Sequence, residues 1–151
     1  MYHLTTLSPL EPHLLQALTV VWEASVRATH DFLSEADIAE LRPQVIEALP
    51  QMETLLVLTD ESSGQPAAFL GLVGDKVEAL FVHPDCRGQG LGSRLLREAI
   101  DRYHCRYVDV NEQNPQALGF YQHLGFTIAS RSPLDDAGRP FPILHLTLIG
   151  Q

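Results

Sequence analysis

The sequence predicts an α/β domain on a mixed β-sheet, and two stretches carry that prediction. Residues 77–82 form an apolar, β-rich run that passes through a glycine turn into a helical pattern over 93–103 and out into a second strand over 106–110. A strand–helix–strand unit of this kind needs a parallel crossover. Residues 54–59 and 67–73 are β-rich runs separated by Glu61-Ser62-Ser63-Gly64-Gln65, which reads as an antiparallel hairpin. Parallel and antiparallel neighbours in one chain make a mixed sheet.

The remaining elements follow in order. Residues 2–6 alternate weakly and predict a strand. Ser8-Pro9-Leu10-Glu11 supplies an N-cap, a first-turn proline and the glutamate of a capping box, so a helix is expected to begin there. Its apolar stripe is Leu14, Leu18, Val21, Trp22 and Ser25, ending near Val26. Ser34-Glu35-Ala36-Asp37 opens a second helix through Ile38, Leu41 and Val45, which Pro43 should kink or restart and Pro50 should end. Gly74-Asp75 turns the chain into the strand at 77–82. The helix at 93–103 buries Leu95, Leu96, Ala99 and Ile100. A further helix is expected at 115–124 and strands at 126–131 and 143–148, the last two joined by Asp135-Asp136-Ala137-Gly138-Arg139-Pro140. With no repeat, linker or low-complexity segment, residues 1–151 read as one domain.

Composition narrows the function. Hydrophobic residues make up 45% and charged residues 19%, ordinary for a globular core. No apolar run approaches the roughly 20 residues of a membrane span, and no signal-peptide pattern opens the chain, so a cytoplasmic protein without membrane association is expected. Cys86 and Cys105 have no ligand or disulfide spacing and read as free thiols. His3, His13, His83, His104, His123 and His145 are scattered without ligand spacing, so neither a metal nor a role is assigned to them. A net charge of −9 argues against nucleic acid and suits a cationic substrate, although acidity that only keeps the protein soluble explains it equally well.

The chemistry is concentrated after residue 82. In Arg87-Gly88-Gln89-Gly90-Leu91-Gly92 three glycines at alternate positions leave backbone N–H groups free to close around an anion at a helix start. A dinucleotide fingerprint would want glycine where Ser93 stands, and a P-loop would want a lysine, whereas the only lysine is Lys76. Both patterns fit badly. Arg87, Gly90 and Gly92 do match Arg/Gln-x-x-Gly-x-Gly/Ala. A second block, Asn111-Glu112-Gln113-Asn114-Pro115-Gln116-Ala117-Leu118-Gly119-Phe120-Tyr121 followed by Leu124-Gly125-Phe126, places a tyrosine seven residues after an asparagine. Together the two blocks resemble the GNAT superfamily of N-acetyltransferases. The resemblance covers residues 54–148, and 22–33, with Thr29-His30-Asp31-Phe32-Leu33, is similar to a small bacterial branch of it.

The resemblance implies a central sheet of six to seven strands with a splayed parallel pair, flanked by about four helices. It implies acetyl transfer from acetyl-CoA to a primary amine, of a small molecule or a peptide, by direct attack in a ternary complex, with no metal. It admits a homodimer. The donor would be held by backbone at Leu80 and Val82, by Arg87, Gly88, Gln89, Gly90, Gly92 and Ser93, and by Asn114 and Tyr121, with the Leu80 N–H as the oxyanion contact. The other reading of the glycines is a plain tight turn, and of Leu80 and Val82, core strand. Tyr121 is the candidate proton donor to the leaving thiolate, against packing beside Phe120. Asn114 can also cap its helix.

The general base has three candidates. A two-residue period puts Glu78 on the strand face of Leu80 and Val82, ranking it first. His30 comes second for its intrinsic pKa, and Asp109 lies on the neighbouring strand. Trp22, Phe32 and Leu33 could wall an acceptor pocket or simply be core. A non-catalytic acyl-CoA sensor is the rival function, and a proton donor at Tyr121 speaks against it.

Overall fold

Seven strands form one sheet in the order β1-β2-β3-β4-β5-β7-β6 in the computed structural model, which describes residues 1–7, 10–29 and 32–149. The strands are β1 (Tyr2–Leu7), β2 (Thr54–Asp60), β3 (Pro66–Val73), β4 (Lys76–Val82), β5 (Tyr107–Asn111), β6 (Phe126–Ser132) and β7 (Ile143–Leu148). The helices are α1 (Pro12–Thr29), α2 (Glu35–Ala48), α3 (Leu91–Tyr103) and α4 (Pro115–His123). β4 and β5 pair in parallel, as the crossover through α3 requires, and the other strand pairs are antiparallel.

Each face of the sheet has its own core. On one, Leu95, Leu96 and Ala99 of α3 and Tyr121 of α4 meet Leu70, Val108, Phe126 and Leu146. On the other, Leu18, Val21, Trp22 and Val26 of α1 and Ile38 of α2 meet Val57, Phe69 and Ala79. The alternation along β7, whose Leu144, Leu146 and Leu148 are buried, leaves its other residues half-exposed on the opposite face.

Three helix expectations change. The cap expected at Ser8-Pro9 lies outside the described residues, and α1 begins at Pro12, with the Leu14 and Leu15 amides donating to the Glu11 carbonyl at 3.0 and 2.9 Å. Pro12 has the fixed φ of a first helical position and lacks the N–H that would have no partner there. α1 also continues to Thr29, past the expected end near Val26. α2 opens at Ser34 as expected, on a capping box in which Asp37 N–H donates to Ser34 Oγ at 3.1 Å and Ser34 N–H to Asp37 Oδ2 at 2.9 Å. Pro43 does not interrupt it. Pro43 and Ala39, whose carbonyl loses its donor there, are both exposed, so water can replace the missing bond.

The decisive irregularity is in β4. Gly71 of β3 pairs with Ala79 but Leu72 pairs with Val77, leaving Glu78 as the extra residue of a β-bulge. β4 and β5 then share only two rungs, Lys76 with Tyr107 and Val77 with Val108. Beyond them the strands diverge, giving the splayed parallel pair. The bulge also overturns the face assignment of Glu78. Val77 and Leu80 pack in one core and Ala79 in the other, so a strict two-residue period fails across Glu78. Glu78 reaches instead toward Lys76, on the side of the sheet opposite Val77 and Leu80.

Candidate active site

The gap between β4 and β5 opens into a cleft of about 490 Å³. Its walls are β4, β5, the start of α3, the α4 residues Ala117, Phe120 and Tyr121, and Ser25 and Thr29 at the end of α1. Backbone direction on β4 follows from one hydrogen bond: His83 N–H donates to the Ala67 carbonyl of β3 at 2.8 Å. By alternation the Phe81 amide faces β3 too, and the Leu80 and Val82 amides face the gap.

At one end of the cleft the chain enters α3 through Gly88 (φ 76°) and Gly90 (φ 74°), both left-handed. Gly90 caps α3 without a side-chain bond, and the helix ladder starts with Arg94 N–H donating to its carbonyl at 3.0 Å. The Leu91, Gly92 and Ser93 amides belong to the first turn, where backbone donors have no intrahelical partner and the helix dipole is positive. The third glycine is not left-handed, and a Cβ on Gly92 would stand 3.4 Å from Phe120 Cζ, an ordinary van der Waals distance where α3 packs near α4. Arg87 is exposed at the rim.

Asn114 caps α4, its Oδ1 accepting from Ala117 N–H at 3.2 Å, with Pro115 at the first helical position. About two turns further on, Tyr121 is 6% exposed. Its ring meets Phe120 and Phe126 edge-on at centroid distances of 5.1 and 5.7 Å. Burial, with Cys105 close behind, pushes the phenol well above its ordinary value, so Tyr121 holds its proton. A protonated phenol on a cleft wall can donate and cannot act as a base.

Of the candidate residues, Glu78, Leu80, Val82, Arg87, Gly88, Gly90, Gly92, Ser93, Asn114 and Tyr121 line this cleft, as does Asp109. Gln89 is not among its lining residues and lies beside the Tyr2 phenol. His30 is outside the described residues. Trp22, 4% exposed, belongs to the α1–α2 core and not to a pocket wall. Phe32 packs against Phe141 of the loop before β7, with ring centroids 6.0 Å apart.

One constellation escaped the sequence. Lys76 Nζ lies 2.7 Å from Asp109 Oδ2 and 3.6 Å from Glu78 Oε2. The other Asp109 oxygen, Oδ1, is 2.7 Å from His145 Nδ1, and His145 Nε2 is 2.7 Å from Ser132 Oγ. Burial works to raise the Asp109 pKa, but Lys76 and His145 outweigh it and hold the carboxyl below its usual range. Burial likewise opposes the charge on Lys76, and Asp109 and Glu78 together raise its pKa nonetheless. The i, i+2 pair Lys76 and Glu78 was visible in the sequence. The pairing of Asp109 with His145 needs the β5-β7-β6 order, which no local pattern encodes. Among the described residues no group of three or more His, Cys, Asp or Glu is arranged to hold a metal ion.

A strand pair opened by a bulge, with a glycine-wrapped helix start at one end and a buried phenol on the wall, is the architecture of an acyl-CoA-dependent acetyltransferase. Residues 51–128 match the model of the acetyltransferase (GNAT) domain. The chain is 44% identical over 131 residues to the peptidyl-lysine N-acetyltransferase YjaB of Salmonella typhimurium, covering 87% of this chain and 89% of that one. It is 40% identical over 135 residues to the protein of that name from Escherichia coli, covering 89% and 90%. The solution structure of the apo form of Escherichia coli YjaB superimposes with a TM-score of 0.87 at 38% identity, over 100% of this chain and 99% of that one. The chain therefore belongs to the GNAT family of N-acetyltransferases, and it is an enzyme that transfers an acetyl group to an amine.

Proposed function

We propose that the protein acetylates the ε-amine of lysine in a peptide or protein, with acetyl-CoA as the donor. The outward-facing amides of Leu80 and Val82, aligned with the α3 start, carry this reading, since they form a backbone-lined slot that ends in an anion site. Lysine as acceptor is supported by the YjaB relatives, which are named peptidyl-lysine N-acetyltransferases, and by the carboxylates of Glu78 and Asp109 on the cleft.

Each step has a residue. The pyrophosphate is received by the Gly88–Gly90 turn and the α3 amides, with Arg87 at the rim. The Leu80 N–H donates to the thioester oxygen as negative charge develops there. Glu78 takes one proton from the acceptor ammonium, the amine nitrogen bonds to the acyl carbon, the C–S bond breaks as Tyr121 gives the thiolate its proton, and the second proton, shed by the nitrogen as the amide forms, restores the Tyr121 phenol. Asn114 holds the start of the helix that presents Tyr121. A non-catalytic acyl-CoA sensor has no use for a donor at that place.

The test is acetyl-CoA with a panel of lysine peptides, N-terminal-amine peptides with blocked lysines, polyamines and amino acids, read by CoA release and by the mass of each acceptor. A preference for lysine peptides is expected. Turnover confined to small amines would leave the acetyltransferase standing and remove the lysine assignment.

A further inference from the structure

The side chains from Ser132 to Glu78 form one continuous row across four strands. Ser132 on β6 meets His145 on β7 at 2.7 Å, His145 meets Asp109 on β5 at 2.7 Å, and Asp109 meets Lys76 on β4 at 2.7 Å. Lys76 meets Glu78 at 3.6 Å. We propose that His145 is a positioning residue for acetyl transfer, acting through Asp109 and Lys76 on the carboxylate of Glu78. The proposal rests on Glu78 being the base.

The physical argument is a competition for Lys76. With Asp109 ionised, His145 Nδ1 must carry a hydrogen and donate to Oδ1, which leaves Nε2 to accept from the Ser132 hydroxyl. In that state Asp109 keeps a full negative charge for Lys76, whose ammonium sits closer to Asp109 than to Glu78. Glu78 then has a loosely held cation and an oxygen free for a substrate proton. When His145 gains a proton at Nε2, the imidazolium competes with Lys76 for Asp109 and reverses the demand on Ser132, which must then accept. Lys76 shifts its attraction toward Glu78 and lowers the affinity of that carboxylate for a proton. Among the described residues, Asp109 is the titratable group in contact with the ring, with Lys76 and then Glu78 behind it. The nearby Arg131 is engaged with Glu112 at 2.6 Å.

Because Lys76 is the only lysine of the chain, protein labelled with ¹³C-lysine gives a single side-chain resonance for the middle of the row. Its ε-carbon shift should show an inflection as the His145 ring changes charge. His145→Asn keeps an N–H for Asp109 and cannot titrate, so the inflection should vanish. The same variant should move the midpoint of the acid limb of kcat/KM, measured with acetyl-CoA and a lysine peptide, to higher pH by about half a unit or more, because no imidazolium then draws Lys76 toward Glu78. His145→Leu, which removes the donor altogether, should lower kcat about fivefold across the range. Glu78→Gln tests the base itself: an unaltered pH profile there refutes that reading, while the Lys76 resonance still reports the row. A Lys76 signal blind to His145, or an acid limb left in place by His145→Asn, overturns the proposal.

Discussion

Lys76 and Asp109 bring their charges to 2.7 Å at the last rungs before β4 and β5 part, so an ion pair marks the vertex of the cleft. Three-quarters of the Asp109 side chain is withdrawn from solvent, with a relative exposure of 26%. Its pKa is depressed in the fold. The stability it contributes is therefore present above the unfolded carboxyl value and lost as pH falls through the folded one. Asp109→Asn should cost about 1–3 kcal/mol at pH 7, and the difference should shrink toward zero in acid below that folded value. Urea unfolding of both proteins at pH 7 and pH 3 measures it, and equal penalties at the two would show that the pair contributes nothing through charge.

Gly90 has nothing within 4 Å of where a Cβ would stand, but its φ of 74° is left-handed. Gly90→Val should destabilise by about 1–2 kcal/mol while abolishing CoA binding, because the new side chain occupies the approach to the α3 amides. Calorimetry with CoA on the folded variant is the check. Unchanged affinity would remove the loop from the donor site.

Tyr121→Phe should lower kcat about 10²-fold with little change in the KM for acetyl-CoA, since the hydroxyl acts only as thiolate develops. The raised phenol pKa adds a second expectation: the alkaline side of the wild-type pH profile should contain no step from Tyr121. Equal kcat at saturating lysine peptide would assign Tyr121 to packing.

The two thiols should react differently. Burial pushes Cys105 up to about 11, whereas Cys86 is half-buried and lines the cleft. Iodoacetamide at pH 8 should modify Cys86 alone, and CoA should slow that reaction. Peptide mapping that finds Cys105 labelled first would contradict the core packing described here.

The parts of the site legible in sequence are those made by neighbours in the chain. The turn at Gly88 and Gly90 and the helix from Asn114 to Tyr121 each depend on a short local pattern, and residues of both line the cleft. Glu78 shows the opposite case. Its face depends on how β3 pairs with β4, and one unpaired residue defeats a period counted along β4 alone. The row from Lys76 to Ser132 was illegible for a related reason. Its members are separated by whole elements, and β7 comes between β5 and β6 only in space. For α1 the described helix starts at Pro12, whose fixed φ suits a first helical position as well as the expected Pro9 would.

The divergence after Val77 and Val108 gives the sheet two edges in its interior, besides the outer edges at β1 and β6. The Leu80 and Val82 amides are strand amides in conformation without being ladder amides. In hydrogen-exchange terms they should behave like a frayed margin located in the middle of the fold, exchanging rapidly while Phe81, between them and bonded to β3, stays slow. A pantetheine chain drawn into the gap would act as a short foreign strand, so donor binding should appear as protection of alternate residues along β4, a period-two signature that closure of a lid or a general tightening of the protein would not produce.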